Sequence, residues 1–258
     1  MKCFILCGGL GTRLSEETDL IPKPMIKIGN KPILEHIMDI YSKYGFYEFV
    51  LCGGYKINKI KDHFLKKQRN NSDIFIDFNM SQINLINQKI NKRWKIWIFD
   101  TGLKSQTAHR LYRLRKLLKD EEDFFMTYGD GLSNVNLKKL LNFHKRKKKI
   151  ATMTIVRPQA RFGHIELQGD KITKFREKDQ TAEGWINGGF FVLNQKVFKY
   201  MNSKKELIFE REPLEKLAKK KELNAFKHNS FWHPMDTLRD KRFLEKVFKG
   251  NKSPWLLK

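Results

Sequence analysis

The feature that most constrains the fold is a short apolar run near the start of the chain that stops abruptly at glycines. Residues 4–7 read FILC, which is typical of a buried parallel strand. The glycine-rich segment that follows, GGLGTR at residues 8–13, lets the backbone turn sharply with its N–H groups converging. Converging amides form an anion site, and Arg13 adds a fixed positive charge. The sequence therefore predicts a strand followed by an anion-binding loop.

A lysine held between two prolines follows this loop. Pro22 and Pro24 stiffen the backbone on either side of Lys23. Spacing excludes two common phosphate loops. A P-loop requires Gly-x4-Gly-Lys-Ser/Thr, which does not follow Gly8, and the dinucleotide fingerprint requires glycine where Leu14 stands. On the glycines alone, an ordinary strand-to-helix turn stays open as the alternative.

Strand-like and helix-like patterns alternate through the first half of the chain. Apolar runs at residues 4–7, 49–52, 94–99 and 124–128 are separated by amphipathic helical patterns, one of them marked by leucines between 111 and 118. This alternation predicts an α/β fold with a doubly wound, mostly parallel sheet, in which ligands bind outside the carboxyl ends of the strands. Residues 80–92 are irregular and are assigned as a loop or a weak strand.

The second half has a more antiparallel character. Short strands at 151–156, 164–167, 172–175 and 189–193 are separated by turn residues, so we expect antiparallel additions in the C-terminal half. Helices are expected at 195–200, 212–221 and 237–248, the last with Asp236 placed as its N-cap. No linker rich in Pro, Gly or Ser divides the 258 residues, which indicates a single domain.

Composition narrows the class of protein. The three cysteines, Cys3, Cys7 and Cys52, are odd in number and lie in strand-like segments, so we interpret them as reduced core residues of a cytoplasmic protein. No apolar run is long enough to span a membrane, and no signal peptide is evident.

The formal net charge of +24 raises the question of nucleic-acid binding. The lysines are spread along the chain, and the densest runs, at 145–149 and 219–221, fall at the ends of expected helices, where cations suit the helix dipole. No zinc finger, helix-turn-helix or RNP-like string is present. We therefore do not expect a nucleic-acid partner, and interpret the basic field as attracting small anionic substrates.

Two aspartates are candidates for metal binding. Asp130 follows the strand at 124–128 and is flanked by Gly129 and Gly131, which leave room for a metal–phosphate complex. Asp236 lies in WHPMDT at 232–237. Two converging carboxylates could hold one Mg²⁺ together with substrate oxygens. A turn aspartate at 130 and a helix cap at 236 remain the alternatives.

Taken together, these motifs resemble those of the sugar-phosphate nucleotidyltransferases, or nucleotide-sugar pyrophosphorylases. The resemblance covers nearly the whole chain and rests on GGLGTRL at 8–14, PKP at 22–24, Glu177-Lys178, INGG at 186–189 and PMDT at 234–237. It implies a Rossmann-like, glycosyltransferase-type fold and a homo-oligomer. Within the family, the similarity is to the branch that joins CTP and α-D-glucose 1-phosphate to give CDP-glucose and pyrophosphate for surface polysaccharides.

The resemblance also implies roles for individual residues. The triphosphate and its nucleoside would contact Leu6, Gly8, Gly9, Gly11, Thr12, Arg13, Lys23, Thr107 and Gly129; the sugar phosphate would contact Tyr128, Glu177, Lys178, Asn187 and Gly188; and Mg²⁺ would be held by Asp130 and Asp236. Lys23, Arg13 and Asp130 would be catalytic. Residues 1–135 would then form the nucleotide-binding part and residues 136–258 the sugar-phosphate and oligomerisation part.

Two departures from the family pattern leave alternatives open. Asp179 follows Lys178 where the family has proline, and Ala108-His109 stand where the family commonly has two glycines, in a loop on the base side. Another nucleoside triphosphate, another sugar 1-phosphate or a non-catalytic nucleotide-binding protein therefore stay as alternatives. A glycosyltransferase is disfavoured because Asp130-Gly131-Leu132 supplies no Asp-x-Asp motif.

Overall fold

The fold is built around one seven-stranded sheet. A computed structural model of the chain describes residues 1–87, 93–118, 121–158, 164–176, 184–250 and 253–256. The strands in this part are β1 Lys2–Leu6, β2 Lys27–Ile28, β3 Lys31–Pro32, β4 Glu48–Gly53, β5 Asp73–Asp77, β6 Gln82–Ile86, β7 Lys95–Asp100, β8 Asp123–Tyr128, β9 Gly131–Ser133, β10 Ala151–Val156, β11 His164–Gln168, β12 Lys171–Arg176, β13 Ile186–Asn194, β14 Leu223–His228 and β15 Trp232–Pro234. The α-helices are α1 Ser15–Thr18, α2 Ile33–Ser42, α3 Ile57–Asn70, α4 Thr107–Arg113, α5 Leu137–Lys147, α6 Glu212–Lys219 and α7 Leu238–Lys249.

The strand order of the main sheet is β14-β10-β13-β8-β1-β4-β7. The expected parallel pairs form on both sides of β1, which pairs with β4 and with β8, and β4 pairs in parallel with β7. The antiparallel character of the second half comes from β13, which runs antiparallel to both of its neighbours, β8 and β10. Because both predicted parts contribute strands, one sheet spans the chain.

Each face of this sheet is covered by helices, as expected for a doubly wound sheet. One buried cluster packs α2, α3, α5 and α7 on the first face through residues such as Ile37, Ile60 and Leu244. The second cluster packs α4 and α6 on the other face, through Leu111 and Leu217 among others. The alternation of strand and helix in the sequence therefore predicted the layer architecture correctly.

Several element boundaries differ from expectation. The segment at 80–92, expected to be a loop or weak strand, contains β6, which pairs with β5 in an exposed hairpin. The leucine-marked helix ends at Arg113 and continues only as a 3₁₀ turn over Arg115–Leu118, and residues Gln195–Tyr200 likewise form a 3₁₀ helix.

The prediction that Asp236 caps the last helix is wrong. The N-cap of α7 is Thr237, whose hydroxyl accepts a hydrogen bond from the Asp240 amide at 3.2 Å. The Asp240 carboxylate in turn accepts from the Thr237 amide at 2.8 Å, completing a capping box. The prediction failed because Asp236 and Thr237 are adjacent and both are common N-cap residues. Thr237 is the one with Asp240 three positions later, as the capping box requires.

The three cysteines are free and buried, as expected. Burial raises the pKa values of all three thiols. None of the helices in the described ranges is both long and apolar enough to cross a bilayer.

Candidate active site

The glycine-rich loop lies at the carboxyl end of β1, at the centre of the sheet. Gly11 adopts a left-handed conformation with φ of +70°, and a Cβ there would come within 2.7 Å of the Thr18 side chain. A residue with a side chain would therefore be strained at this position. Within the described residues, no acceptor pairs with the main-chain N–H groups of Gly8, Gly9 and Gly11. The three glycines line a cleft.

A buried arginine, Arg110, holds this loop by hydrogen bonds to its backbone. The Arg110 guanidinium donates hydrogen bonds to the carbonyl oxygens of Gly8 (2.9 Å) and Gly53 (2.7 Å), and to the Thr101 hydroxyl (2.6 Å). It thereby ties together the loops that follow β1, β4 and β7. A Cβ at position 8 would lie 2.1 Å from this guanidinium, so a larger residue there would displace Arg110 from these hydrogen bonds. Burial lowers the pKa of Arg110.

Two carboxylates are brought together by a short antiparallel ladder. Strand β9 begins directly after Asp130, and β15 ends two residues before Asp236. The two strands pair with Gly131 opposite Pro234, and the Met235 amide donates to the Asp130 carbonyl at 2.8 Å. Residues more than 100 positions apart in the sequence are therefore fixed side by side.

Lys23 completes this cluster. It begins a 3₁₀ turn at Lys23–Met25, entered from an extended Pro22, so its backbone is tightly constrained. Its ammonium group lies 2.7 Å from an oxygen of Asp130 and 2.7 Å from an oxygen of Asp236. Burial lowers the pKa of Lys23, but the opposing attraction of the two carboxylates outweighs it and raises the pKa above its ordinary value.

These groups open into one cleft with a volume of about 280 Å³. Most of the residues expected at the nucleotide contribute to its wall: Leu6, Gly8, Gly9, Gly11, Thr12, Lys23, Thr107 and Gly129. Tyr128, Asp130 and Asp236 line it as well. The cleft combines main-chain amides that have no acceptor among the described residues, a cation and two carboxylates. This set is suited to a phosphorylated ligand and its counter-ion.

A second pocket of about 270 Å³ adjoins the first. Tyr128, Asp130 and Asp236 belong to both, while Asn187 and Gly188, predicted to contact the sugar phosphate, line only the second. Trp232 also lines the second pocket and donates from its indole nitrogen to the Gly188 carbonyl at 2.7 Å. The site thus consists of two subsites that meet at Tyr128 and the carboxylate pair.

A hydrogen-bond chain links these subsites behind the Tyr128 ring. The Tyr128 hydroxyl donates to one oxygen of Glu210, and the Thr107 hydroxyl donates to the other at 2.6 Å. The Asn187 side-chain amide donates to the Tyr128 hydroxyl at 3.2 Å. Burial and the neighbouring Glu210 carboxylate raise the pKa of Tyr128 well above its ordinary value.

Three predicted site residues cannot be placed. Glu177 and Lys178 lie outside the described residues, and for Arg13 only the backbone is described. The contacts assigned to these three side chains therefore stay predictions, as do the functional roles assigned to the residues that line the cleft.

Several residues in the site were missed by sequence reasoning. Arg110, Ser105 and Gln106 line the first cleft, Trp232 lines the second, and Glu210 lies behind both. Arg110 directly follows Ala108-His109, which depart from the family pattern. That departure was the one sequence signal that pointed to this segment. Glu210 follows an ordinary turn, and no local pattern distinguishes it from a solvent-exposed glutamate.

The carboxylate pair fits one hard cation. Asp130 and Asp236 already share a single positive group, the Lys23 ammonium, at equal distances. Among the described residues, no cluster of three or more His, Cys, Asp or Glu side chains could hold a metal. A Mg²⁺ ion here would therefore take its remaining ligands from substrate oxygens and water.

Comparison with known proteins places this geometry in a family. The chain is 44% identical over 256 residues to glucose-1-phosphate cytidylyltransferase of Salmonella typhi, covering 99% of this chain and 98% of the relative. It is 41% identical to the probable glucose-1-phosphate cytidylyltransferase of Bacillus subtilis, covering 99% of both chains.

The fold has counterparts among solved structures. HddC from Yersinia pseudotuberculosis, crystallised with GMP-PN, superposes with a TM-score of 0.67 at 22% identity, covering 96% of this chain and 99% of HddC. The nucleotidyl transferase family model matches residues 2–240, which include the glycine-rich loop, Lys23 and both aspartates. The chain therefore belongs to the nucleotidyl transferase family.

Proposed function

We propose that this nucleotidyltransferase joins CTP and α-D-glucose 1-phosphate to give CDP-glucose and pyrophosphate. The observation that carries the proposal is the convergence of Lys23, Asp130 and Asp236 beside the unpaired amides of the glycine-rich loop. The choice of CTP and glucose 1-phosphate is supported by the identity of 44% to a relative with that name over nearly the whole chain.

The reaction is an in-line displacement at phosphorus. A phosphate oxygen of the sugar phosphate attacks the α-phosphorus of CTP, and the bond to the bridging oxygen breaks. Pyrophosphate leaves with that electron pair. Both reactants are anions, so the chain must offset their repulsion and stabilise charge on the phosphoryl oxygens. We assign the amides of Gly8, Gly9 and Gly11 to the triphosphate, and Lys23 to the α-phosphate.

We further propose that Mg²⁺ binds to Asp130 and Asp236. When bound, it would neutralise charge on the α-phosphate and on the leaving pyrophosphate. Lys23 would then turn from the carboxylates to the α-phosphate. We assign Arg110 the role of holding the glycine-rich loop in place, since its guanidinium donates to the Gly8 carbonyl at 2.9 Å.

The chain is also proposed to act as a homo-oligomer in the cytoplasm. The hairpin β5–β6 exposes Phe78, with 87% of its surface accessible, together with Ile74, Phe75, Ile76, Met80, Ile83 and Ile86. Large exposed apolar patches mark interaction surfaces. Residues 73–87 contain no Lys or Arg in a chain of net charge +24. We therefore assign this hairpin as the surface that contacts a second copy.

A pyrophosphate-release assay tests the reaction. The four nucleoside triphosphates are crossed with glucose, mannose and galactose 1-phosphates in the presence of Mg²⁺, and products are identified by mass. We expect the largest kcat/KM with CTP and glucose 1-phosphate, and CDP-glucose as the product. A different best pair would replace the proposed substrates. CTP binding without pyrophosphate release from any pair would point instead to a non-catalytic nucleotide-binding protein.

A further inference from the structure

We propose that Glu210 is a positioning residue that sets the geometry of the nucleotide and sugar subsites together. Glu210 does not line either cleft, and its two carboxylate oxygens bind one side chain from each direction: Tyr128 on the wall shared by the subsites, and Thr107 on the wall of the nucleotide cleft. The inference rests on the proposed function, since it concerns how that site holds its substrates.

The segment that carries Glu210 is fixed in place by its neighbours. Phe209 is fully buried and packs edge-on against Phe191 on β13, with ring centroids 5.6 Å apart. The Phe209 amide donates to the Thr107 hydroxyl at 2.8 Å, and the Ala108 amide donates to the Leu207 carbonyl at 3.1 Å. The segment therefore satisfies amide groups at the start of α4, which have no partner within the helix itself. Glu210 is presented from a rigid base.

The hydrogen-bond partners of Thr107 and Tyr128 fix the direction in which each hydroxyl group donates its proton. Thr107 accepts from the Phe209 amide, so its own proton is directed to Glu210. Tyr128 accepts from the Asn187 amide, so its proton is likewise directed to Glu210. Asn187 is itself oriented, because its carbonyl oxygen accepts from the Gly189 amide at 2.8 Å. The donors therefore follow one consistent order from the Gly189 amide to Glu210, whose two carboxylate oxygens each accept one hydrogen bond.

An ionised carboxylate is the one side chain of this size that accepts twice and donates nothing. Glutamine at position 210 would turn its NH₂ group toward either Thr107 or Tyr128, leaving one of the two hydroxyl protons without an acceptor. Aspartate keeps the charge but is one methylene shorter, so it can reach only one of the two hydroxyls. Both substitutions therefore release one wall of the site while leaving the substrate-contacting groups chemically unchanged.

Steady-state kinetics on Glu210→Gln, Glu210→Asp and Tyr128→Phe test this role, with Glu215→Gln as the matched control. Glu215 is an exposed glutamate on α6, five positions away, and touches neither Thr107 nor Tyr128. We expect Glu210→Gln and Glu210→Asp each to raise the KM of at least one substrate by about tenfold, with a smaller change in kcat, because one wall is released while the reacting groups remain. Tyr128→Phe should raise chiefly the KM for the sugar phosphate. Glu215→Gln should match the wild type.

A double-mutant cycle separates positioning from a general loss of stability. If Glu210 acts through Tyr128, then Tyr128→Phe should raise the KM for the sugar phosphate by a much smaller factor in the Glu210→Gln background than in the wild type. Additive effects, or a fall in melting temperature with unchanged KM values, would overturn the proposal. A Glu210→Asp variant as active as the wild type would also overturn it, because charge alone would then suffice.

Calorimetric titration of CTP and of glucose 1-phosphate keeps this test independent of turnover. If the wild type binds both ligands but releases no pyrophosphate, the proposed reaction fails, whereas weaker binding by Glu210→Gln would still support the positioning role. If the wild type turns over normally and Glu210→Gln binds and turns over equally well, the positioning role fails and the reaction stands.

Discussion

At the scale of single residues, the most informative arrangement is the position of Lys23 between Asp130 and Asp236. One ammonium group is bound equally by both carboxylates, and its side chain is only 12% exposed. The same lysine is proposed to contact the α-phosphate during turnover. Lys23 therefore holds the two carboxylates close to one positive charge. On the proposed metal assignment, it would compete with a divalent ion for them.

Replacing Lys23 by methionine separates these two effects. Turnover should fall by roughly 10²–10³, as expected for loss of a group that stabilises the transition state. Binding of Mn²⁺ in the absence of nucleotide should become at least about tenfold tighter, because an ammonium group no longer occupies the carboxylates. Electron paramagnetic resonance of free Mn²⁺ gives the second measurement without any need for activity.

The double variant Lys23→Met/Asp130→Asn is the control. It should lose the gained Mn²⁺ binding, since one of the two ligands is removed. Equal Mn²⁺ affinity in the wild type and Lys23→Met would show that the lysine does not compete for the carboxylates. Near-normal kcat in Lys23→Met would show that it does not act on the α-phosphate.

How far the sequence predicts such residues depends on whether their surroundings are local. Lys23 could be found because the flanking prolines are adjacent to it, and Asp130 because glycines flank it at a strand end. For Asp236, local reasoning gave two answers, and the capping alternative was removed only by the observed Thr237–Asp240 capping box. Glu210 could not be predicted from local sequence, because its hydrogen-bond partners, Thr107 and Tyr128, lie 103 and 82 positions away.

At the scale of elements, an ion-pair cluster joins α2 and α3, two of the helices that cover one face of the sheet. Glu35 on α2 is 3% exposed and binds His63 and Lys67, which lie one turn apart on α3. Burial raises the pKa of Glu35, but hydrogen bonds from His63 and Lys67 outweigh it and lower the pKa from 4.5 to about 2. The cluster therefore stabilises the packing of α2 against α3 while Glu35 is ionised.

Glu35→Gln should destabilise the protein in a pH-dependent way. A depressed pKa contributes stability that is present above the unfolded-state value near 4.5 and is lost as the pH falls toward about 2. At pH 7 we expect the free energy of unfolding to fall by about 2 kcal/mol, with the difference from wild type shrinking below pH 4.5. Urea denaturation measured across this pH range gives the comparison.

Glu212→Gln is the matched control, since Glu212 forms an exposed pair with Lys216 within α6. Exposed pairs of this kind contribute little, so this variant should follow the wild type at every pH. A Glu35→Gln variant whose deficit stayed constant from pH 7 to pH 3 would contradict the role given to the ion pairs.

Elements were predicted best where one pattern dominates. The central strands were found because they are buried on both faces and are continuously apolar, as in β8. Strand β6 could not be predicted firmly because most of its residues are exposed. Neither of its faces is buried in the core, so burial does not impose an apolar face on its sequence. Its pairing with β5 follows from a turn at residues 78–81, with Ser81 at φ of +50°, a conformation that composition does not indicate.

At the scale of the whole molecule, the exposed β5–β6 hairpin predicts self-association. An isolated two-stranded hairpin has little stability of its own, and this one presents apolar side chains on both of its strands. Phe78→Ser/Ile83→Thr should therefore lower the mass measured by light scattering at a given concentration, without changing the circular dichroism spectrum. Threonine preserves the β-propensity of the second strand.

Leu20→Ser is the control for this experiment, because Leu20 is also highly exposed, at 74%, but lies outside the hairpin. It should leave the measured mass unchanged. A wild-type protein that is monomeric at every concentration, or a hairpin variant with the wild-type mass, would remove the proposed interface.

The separation of 213 positions between Lys23 and Asp236 has a consequence for synthesis on the ribosome. At translation rates of roughly 5–20 residues per second, about 10–40 s pass between the appearance of the lysine and that of its second partner. Throughout this interval the nascent polypeptide already carries the glycine-rich loop. It lacks the carboxylate needed to finish the charge cluster. On the proposed mechanism, we expect nucleotide consumption to begin only after translation has passed residue 236, and chains interrupted before it to be inactive.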